Sequence, residues 1–152
     1  MPESGRAGLE ARILREYRTV AVVGSKCQVP DHTLTMVPAA TAEEAHYLTA
    51  ILNSSPCTAV VQGYVSLHPS PHVLEHVAIP RFDASNPLHQ SLAALSQRAH
   101  RAAIQRKTGE AETRRVEEEI DRVAAQLWGI TDEELEEIGQ ALADLGTPGP
   151  SQ

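Results

Sequence analysis

A capping box at Thr41-Ala-Glu-Glu44, followed by a stripe at Ala45, Leu48, Ile51 and Leu52, constrains this chain more than any other run. The threonine hydroxyl accepts the amide three residues on and the glutamate reaches back, so a helix starts there. A stripe at helical spacing must be buried against something. Pro56 bars the helix from continuing, because proline has no amide hydrogen and clashes with the preceding turn. The same punctuation recurs twice. Asn86-Pro87 couples an N-cap to a proline at the first helical position, and Thr131-Asp-Glu-Glu134 is a second capping box. The helices they open carry Leu88, Leu92, Leu95, Ala99 and Ala103, and then Leu135, Ile138 and Leu142. After Lys107-Thr-Gly109, residues Val116, Ile120, Val123 and Leu127 recur at spacings of 4, 3 and 4, the pattern of a helical-hairpin seam. Gly129 ends that helix, and Trp128 beside it reads as core.

The first part of the chain reads as mixed. Leu9, Ile13 and Tyr17 share one side of a short helix. Thr19–Val23, β-branched and apolar up to Gly24, predicts a buried strand. Leu34 and Met36 alternate with threonines and predict a second strand. Thr58–Leu67 predicts a long strand, with Val60, Gln62 and Tyr64 on one face, Ala59, Val61 and Val65 on the other, and Gly63 marking a bulge. Ser70-Pro71 opens a short turn through His72 and His76. The expected class is α/β (α+β): a small mixed sheet with a packed helix, then a C-terminal helical hairpin and a terminal helix. The expected division is an α/β subdomain over 1–82, a helical region over 83–145 and a disordered tail over 146–152.

At 152 residues with 41% apolar composition, the chain can bury one real core. The polar start and short apolar runs predict neither a signal peptide nor a membrane span. Cys27 and Cys57 form no CxxC pair, so a reduced, cytoplasmic protein is expected. The net charge of −7 argues against a generic nucleic-acid binder. It is unevenly spread, however: the last 22 residues hold six acids and no base, while the first 30 hold five bases and three acids.

Several chemistries are not written here. No Gly-x-Gly, Gly-Lys or Pro-Pro occurs, which removes the dinucleotide fingerprint, the methyl-donor loop, the P-loop and the Pro-Pro catalytic motif of amino-methyltransferases. Neither lysine has an acid two positions before it, as a Pro-Asp…(Asp/Glu)-x-Lys nuclease would require, and no Gly-x-Ser-x-Gly elbow appears. His68, His72 and His76 are spaced by four, but Pro69 and Pro71 break any helix through His68 and no third ligand completes a metal set. Neither a metal site nor a catalytic residue is expected. The basic cluster of Arg98, Arg101, Arg106, Lys107, Arg114 and Arg115 reads first as solvated helix faces with pairs such as Glu118–Arg122, and second as a phosphate-contacting ridge. Five aromatic residues are too few for a base-stacking platform.

Five segments in order, VPDHTLTMVPA, EEAHYLTAILNSS, GYVSLHPSPHVLEHVAIPRFD, NPLHQSLAALSQRAH and EIDRVAAQLWGITDEEL, resemble the C-terminal, TaqI-like specificity region of large adenine-directed DNA methyltransferases. Such enzymes occur in restriction-modification and phage-defence systems. The resemblance runs from about Thr19 to Leu142. It implies a non-catalytic target-recognition domain that reads duplex DNA beside a methyltransferase catalytic domain, in cis or in trans, which binds S-adenosylmethionine and receives the flipped adenine. The chain departs from the family by lacking that catalytic part, as an excised domain or a short separate reading frame would. No cofactor is then expected in this chain itself. Candidate DNA contacts are polar residues at strand ends and turns: Lys26, Gln28, Gln62, Ser66, His68, Ser70 and Arg81. Ile51, Leu52, Ile79 and Phe82 would be framework. The alternative is a protein–protein interaction module whose helical half docks on a partner subunit, which the acidic C-terminal end favours.

Overall fold

The computed structural model describes residues 11–13, 17–22, 24–27, 35–64, 71–105 and 109–145. Among them the fold is helical. Five α-helices follow one another: α1 (Ala42–Asn53), α2 (Ser55–Tyr64), α3 (Pro87–Ile104), α4 (Glu110–Trp128) and α5 (Asp132–Leu145), with a 3-10 turn at Pro71–His76. The β-structure described is one antiparallel hairpin, β1 (Tyr17–Val20) and β2 (Gly24–Cys27). The expected α/β (α+β) class with a mixed sheet is therefore overturned.

Three elements account for the difference. Residues 58–64 of the expected long strand belong to α2, and the remainder of it, 65–67, lies outside the described residues. The β-branched run was compatible with either geometry. Helical spacing brings Cys57 and Val61 to one face, where both are buried, and Pro56 is tolerated because it sits in the first turn. Gly63 is helical and marks no bulge. Around Met36, residues 35–39 form no strand, and Met36 and Val37 are exposed. The expected Thr19–Val23 strand is one limb of the hairpin: β1 stops at Val20, and Ala21 and Val22 lie in the turn. Nor do residues 11–13 form the expected helix; Tyr17 belongs to β1.

The capped helices lie where the caps place them. Thr41 Oγ1 accepts the Glu44 amide at 3.1 Å, while the Glu44 carboxylate reaches the Ala40 amide at 2.6 Å, one residue before the cap. Asn86 Oδ1 accepts the Leu88 amide at 2.9 Å. Thr131 and Glu134 form the full reciprocal box, with bonds of 3.2 and 2.8 Å. Gly129 closes α4 in the left-handed conformation at φ 69°, which glycine adopts without steric cost.

The main core joins Tyr47, Ala50 and Ile51 of α1, Leu92, Ala93 and Leu95 of α3, and Val116, Ile120 and Ala124 of α4. It draws on residues from both sides of position 82. The seam read on α4 is thus used within the chain, against α1 and α3. On α3 the buried alanine near the C-terminus is Ala102, and Ala103 is exposed. A second cluster gathers Leu52, Cys57, Val61 and Val77, and Ile79 and Trp128 pack against both clusters. Helix α5 rests on α2 and α4 with Leu135, Ile138 and Leu142 half-buried and no residue fully buried. Among the described residues no helix is long and apolar enough to cross a membrane.

Candidate functional site

Four of the five resembling segments meet around Tyr47. This side chain is fully buried on α1, and its hydroxyl donates to the Pro80 carbonyl at 2.8 Å. Its ring lies 5.3 Å from that of Phe82 and 4.6 Å from that of His89, between centroids. Burial pushes the phenol up to about 12, so it remains a donor. His89, one turn into α3, accepts the Asp83 amide on Nδ1 at 3.0 Å, which puts its proton on Nε2. Among the described residues, that Nε2 is buried with no hydrogen-bond partner, and it sits within the aromatic cluster. Asp83 accepts the Ser85 hydroxyl and amide at 2.7 and 2.8 Å, and these bonds hold its carboxyl below the usual range. Trp128 donates from Nε1 to the Ala78 carbonyl at 2.8 Å. The extended run 77–83 is thereby bound on one side by α1 and α3 and at its start by α4.

Leu52-Asn53-Ser54-Ser55 has four separate jobs. Leu52 enters the second core cluster. Asn53 clamps the segment at Ala11, accepting the Ala11 amide and donating to the Ala11 carbonyl, both at 2.9 Å. Ser54 is buried and returns its hydroxyl to the Ile51 carbonyl at 2.7 Å. Ser55 gives its amide and hydroxyl to Asp121 of α4, at 2.7 and 2.6 Å. Burial raises the Asp121 carboxyl, and the two bonds from Ser55 only partly oppose that.

The framework residues Ile51 and Leu52 are buried, and Ile79 and Phe82 are half-buried, within or against these clusters. The candidate contact residues are more scattered. Lys26 is exposed on β2; Gln62 is half-buried on α2; Arg81 is exposed in the run that Tyr47 anchors. Among the described residues the hairpin carrying Lys26 packs on neither α2 nor the 3-10 turn, so no described packing joins Lys26 to Gln62. Gln28, Ser66, His68 and Ser70 lie outside the described residues. Of the basic cluster, Arg98 is engaged internally, bridging Glu112 at 2.7 Å and Glu119 at 3.0 Å across α3 and α4. Arg101, Arg114 and Arg115 are exposed; Arg106 and Lys107 are outside the described residues.

Sequence reading missed two features. The first is the hairpin register, in which Arg18 stands directly opposite Lys26. The glycine at 24, with φ 75°, was the one local sign of a turn there. The second is a histidine pair at the α1–α3 contact. His46 Nδ1 lies 3.0 Å from the Ser96 hydroxyl, His100 Nδ1 donates to the Ser96 carbonyl at 2.8 Å, and the rings meet edge-on at 5.1 Å. Burial, then His100, then Arg101 lower the His46 pKa. Beside the pair runs an open groove of about 280 Å³ lined by Thr49, Asn53, Ser96, His100, Glu117 and Ile120. Cys57 is buried and its thiol is pushed up to about 11, which leaves it protonated and unreactive at neutral pH.

No protein-family model matches the chain, and no curated protein or solved structure matches it either.

Proposed function

We propose that this chain is a non-catalytic DNA target-recognition module of an adenine-specific DNA methyltransferase, or of a methyltransferase–endonuclease, in a restriction-modification or phage-defence system. The observation that carries this reading is the interlocking of the resembling segments. Tyr47, Pro80, Phe82, His89, Ala78 and Trp128 come from four of them and are bound to one another. In this reading the residues of these segments would be framework, and sequence-reading residues would belong on the loops and hairpin that the framework leaves exposed, as is general for recognition surfaces. The methyl donor and the flipped base would be handled by a separate catalytic part.

Duplex binding should be salt-sensitive and should strengthen when the catalytic part is present. An anisotropy titration with duplex DNA over a range of salt concentrations tests this. Binding that stays undetectable with the catalytic part added would sink the proposal.

A second reading, a module that docks on a partner protein, draws on α5. That helix carries Asp132, Glu133, Glu134, Glu136, Glu137 and Asp144 with no basic residue, and none of its side chains is fully buried. Leu145 at its end is exposed. Charge repulsion keeps such a face off DNA, so the two readings use different surfaces. Leu142→Asp with Leu145→Asp separates them: loss of partner assembly with DNA affinity intact assigns α5 to docking, and intact assembly removes that role.

A further inference from the structure

We propose that His46, His100 and Arg101 form a proton-gated site for a phosphoryl oxyanion at the α1–α3 contact. Its source, a phosphate of the duplex backbone, rests on the DNA-recognition reading.

Ser96 builds the site. It is buried on α3, with its hydroxyl 3.0 Å from Nδ1 of His46 and its carbonyl accepting from Nδ1 of His100 at 2.8 Å. One residue thus orients imidazoles from two helices and brings their rings edge-on at 5.1 Å. Each ring spends Nδ1 on Ser96 and keeps Nε2 for another partner. Because His100 donates through Nδ1, its Nε2 is a bare lone pair in the neutral form and becomes a donor only on protonation. A phosphate oxygen only accepts, so it meets a matching donor at His100 in the imidazolium form. His100 and Arg101 are exposed and His46 is half-buried, which lets a ligand reach them from solvent.

The electrostatics choose the sign of that ligand. After burial, the causes that hold His46 below its ordinary value are His100 and Arg101, both positive influences. The field at His46 is therefore positive in a chain of net charge −7. The acids on the surrounding helices are Glu43, one turn before His46 on α1, and Glu117 of α4, which lines the groove beside Ser96 and His100. Neither is among the charges that shift His46. Of the other arginines on α3, Arg98 is engaged by Glu112 and Glu119, which leaves Arg101 as the guanidinium beside the pair. A metal cation would meet the same positive field and be disfavoured. An oxyanion favours the protonated rings, and by linkage its affinity rises as pH falls through the imidazole range. Arginine adds a planar fork that matches phosphate at any pH.

The test uses the full 152-residue chain. Inorganic phosphate, added during a histidine-ring NMR titration, should move the His46 titration to higher pH and perturb the His100 ring signals. Duplex anisotropy gives the second arm, since backbone phosphates keep their charge across the range. From about pH 8 to about pH 6 at fixed salt, duplex affinity should rise about tenfold. His46→Gln/His100→Gln should remove most of that rise and change affinity little at about pH 8. His76→Gln, on the 3-10 turn, controls for the general loss of negative charge and should leave the rise in place. Arg101→Gln should weaken binding at both pH values and lower the salt slope by about one. Arg101 is exposed, so that variant carries the test even where the histidine variant melts early.

A duplex affinity that ignores pH, or a rise that survives His46→Gln/His100→Gln, overturns the inference and leaves the DNA reading standing. An unchanged salt slope in Arg101→Gln removes the guanidinium from the site and overturns it as well. If phosphate moves the His46 titration while no duplex binds at any pH, the oxyanion site stands with free phosphate as its ligand, and the DNA reading falls. A chain that responds to neither probe overturns both.

Discussion

The join between α4 and the start of α2 offers the sharpest test of how this fold is held. Asp121 takes both donors of Ser55, and Ser55 opens α2. The first amides of a helix have no partner within it, so a carboxylate from a distant helix here acts as the cap. Replacing Asp121 with alanine leaves a half-buried amide and a hydroxyl without acceptors. An unsatisfied buried donor costs about 1–3 kcal/mol and a lost cap about 0.5–2, which overlap to give roughly 2–4 kcal/mol in all. For a domain of this size that is a fall in Tm of about 5–12 °C.

Asparagine is the informative comparison. Burial raises the Asp121 carboxyl more than Ser55 lowers it, so its charge is disfavoured in the folded state. The acceptor oxygen matters more than the charge, and Asp121→Asn should cost less than about 1 kcal/mol because it keeps one acceptor. The pH dependence follows. A folded pKa raised above the unfolded value of about 3.9 means that the native state holds the proton longer. The stability contributed by Asp121 is complete below that unfolded value and is lost as pH rises through the folded pKa. Asp121→Asn removes this slope. Urea unfolding followed by helical circular dichroism, with an unchanged m-value, measures all three proteins. Equal destabilisation by asparagine and alanine would refute the reasoning, since charge rather than the acceptor would then be what holds the cap.

Other expectations follow from the same geometry. Tyr47→Phe removes the bond to the Pro80 carbonyl and should cost about 0.5–1.5 kcal/mol by thermal melting, with the aromatic packing kept. His46 has a folded pKa below its unfolded value, so its contribution is whole above about 6.5 and is lost as pH falls through the lowered folded value. Denaturant midpoints at neutral and mildly acidic pH should show that loss, and His46→Gln should reduce it. Gly109 sits where an added Cβ would collide with the Ala102 carbonyl, so Gly109→Ala should force α3 and α4 apart at a cost of about 1–3 kcal/mol, read as a shifted urea midpoint. With Cys27 replaced by serine, Cys57 should react with a thiol reagent only on unfolding, and fast stoichiometric labelling of the native protein would contradict its burial.

Much of the helical framework was legible in local signals. Thr41 with Glu44, Asn86 with Pro87, Thr131 with Glu134 and the closing Gly129 each act within a few residues, so the sequence carries the whole interaction. The spacing of Val116, Ile120, Val123 and Leu127 likewise reports a buried face without naming what covers it. Of the candidate site, Lys26 was legible as an exposed cation. Its cross-strand partner Arg18 was not, because register is set by pairing rather than by composition.

Tertiary structure decided the rest, and for one physical reason: the deciding partner lay far along the chain. Residues 58–64 satisfy a strand pattern and a helix pattern almost equally. They are helical because Asp121, 66 residues after Ser55, caps that helix and because Cys57 and Val61 find Leu52 and Val77 to pack on. Tyr47 is a buried tie rather than a polar surface residue because Pro80, 33 residues on, presents its carbonyl there. Local hydrogen bonds and periodicity specify where helices begin and end; the competition between helix and strand, and which polar groups are buried, is resolved only by the groups the fold brings against them.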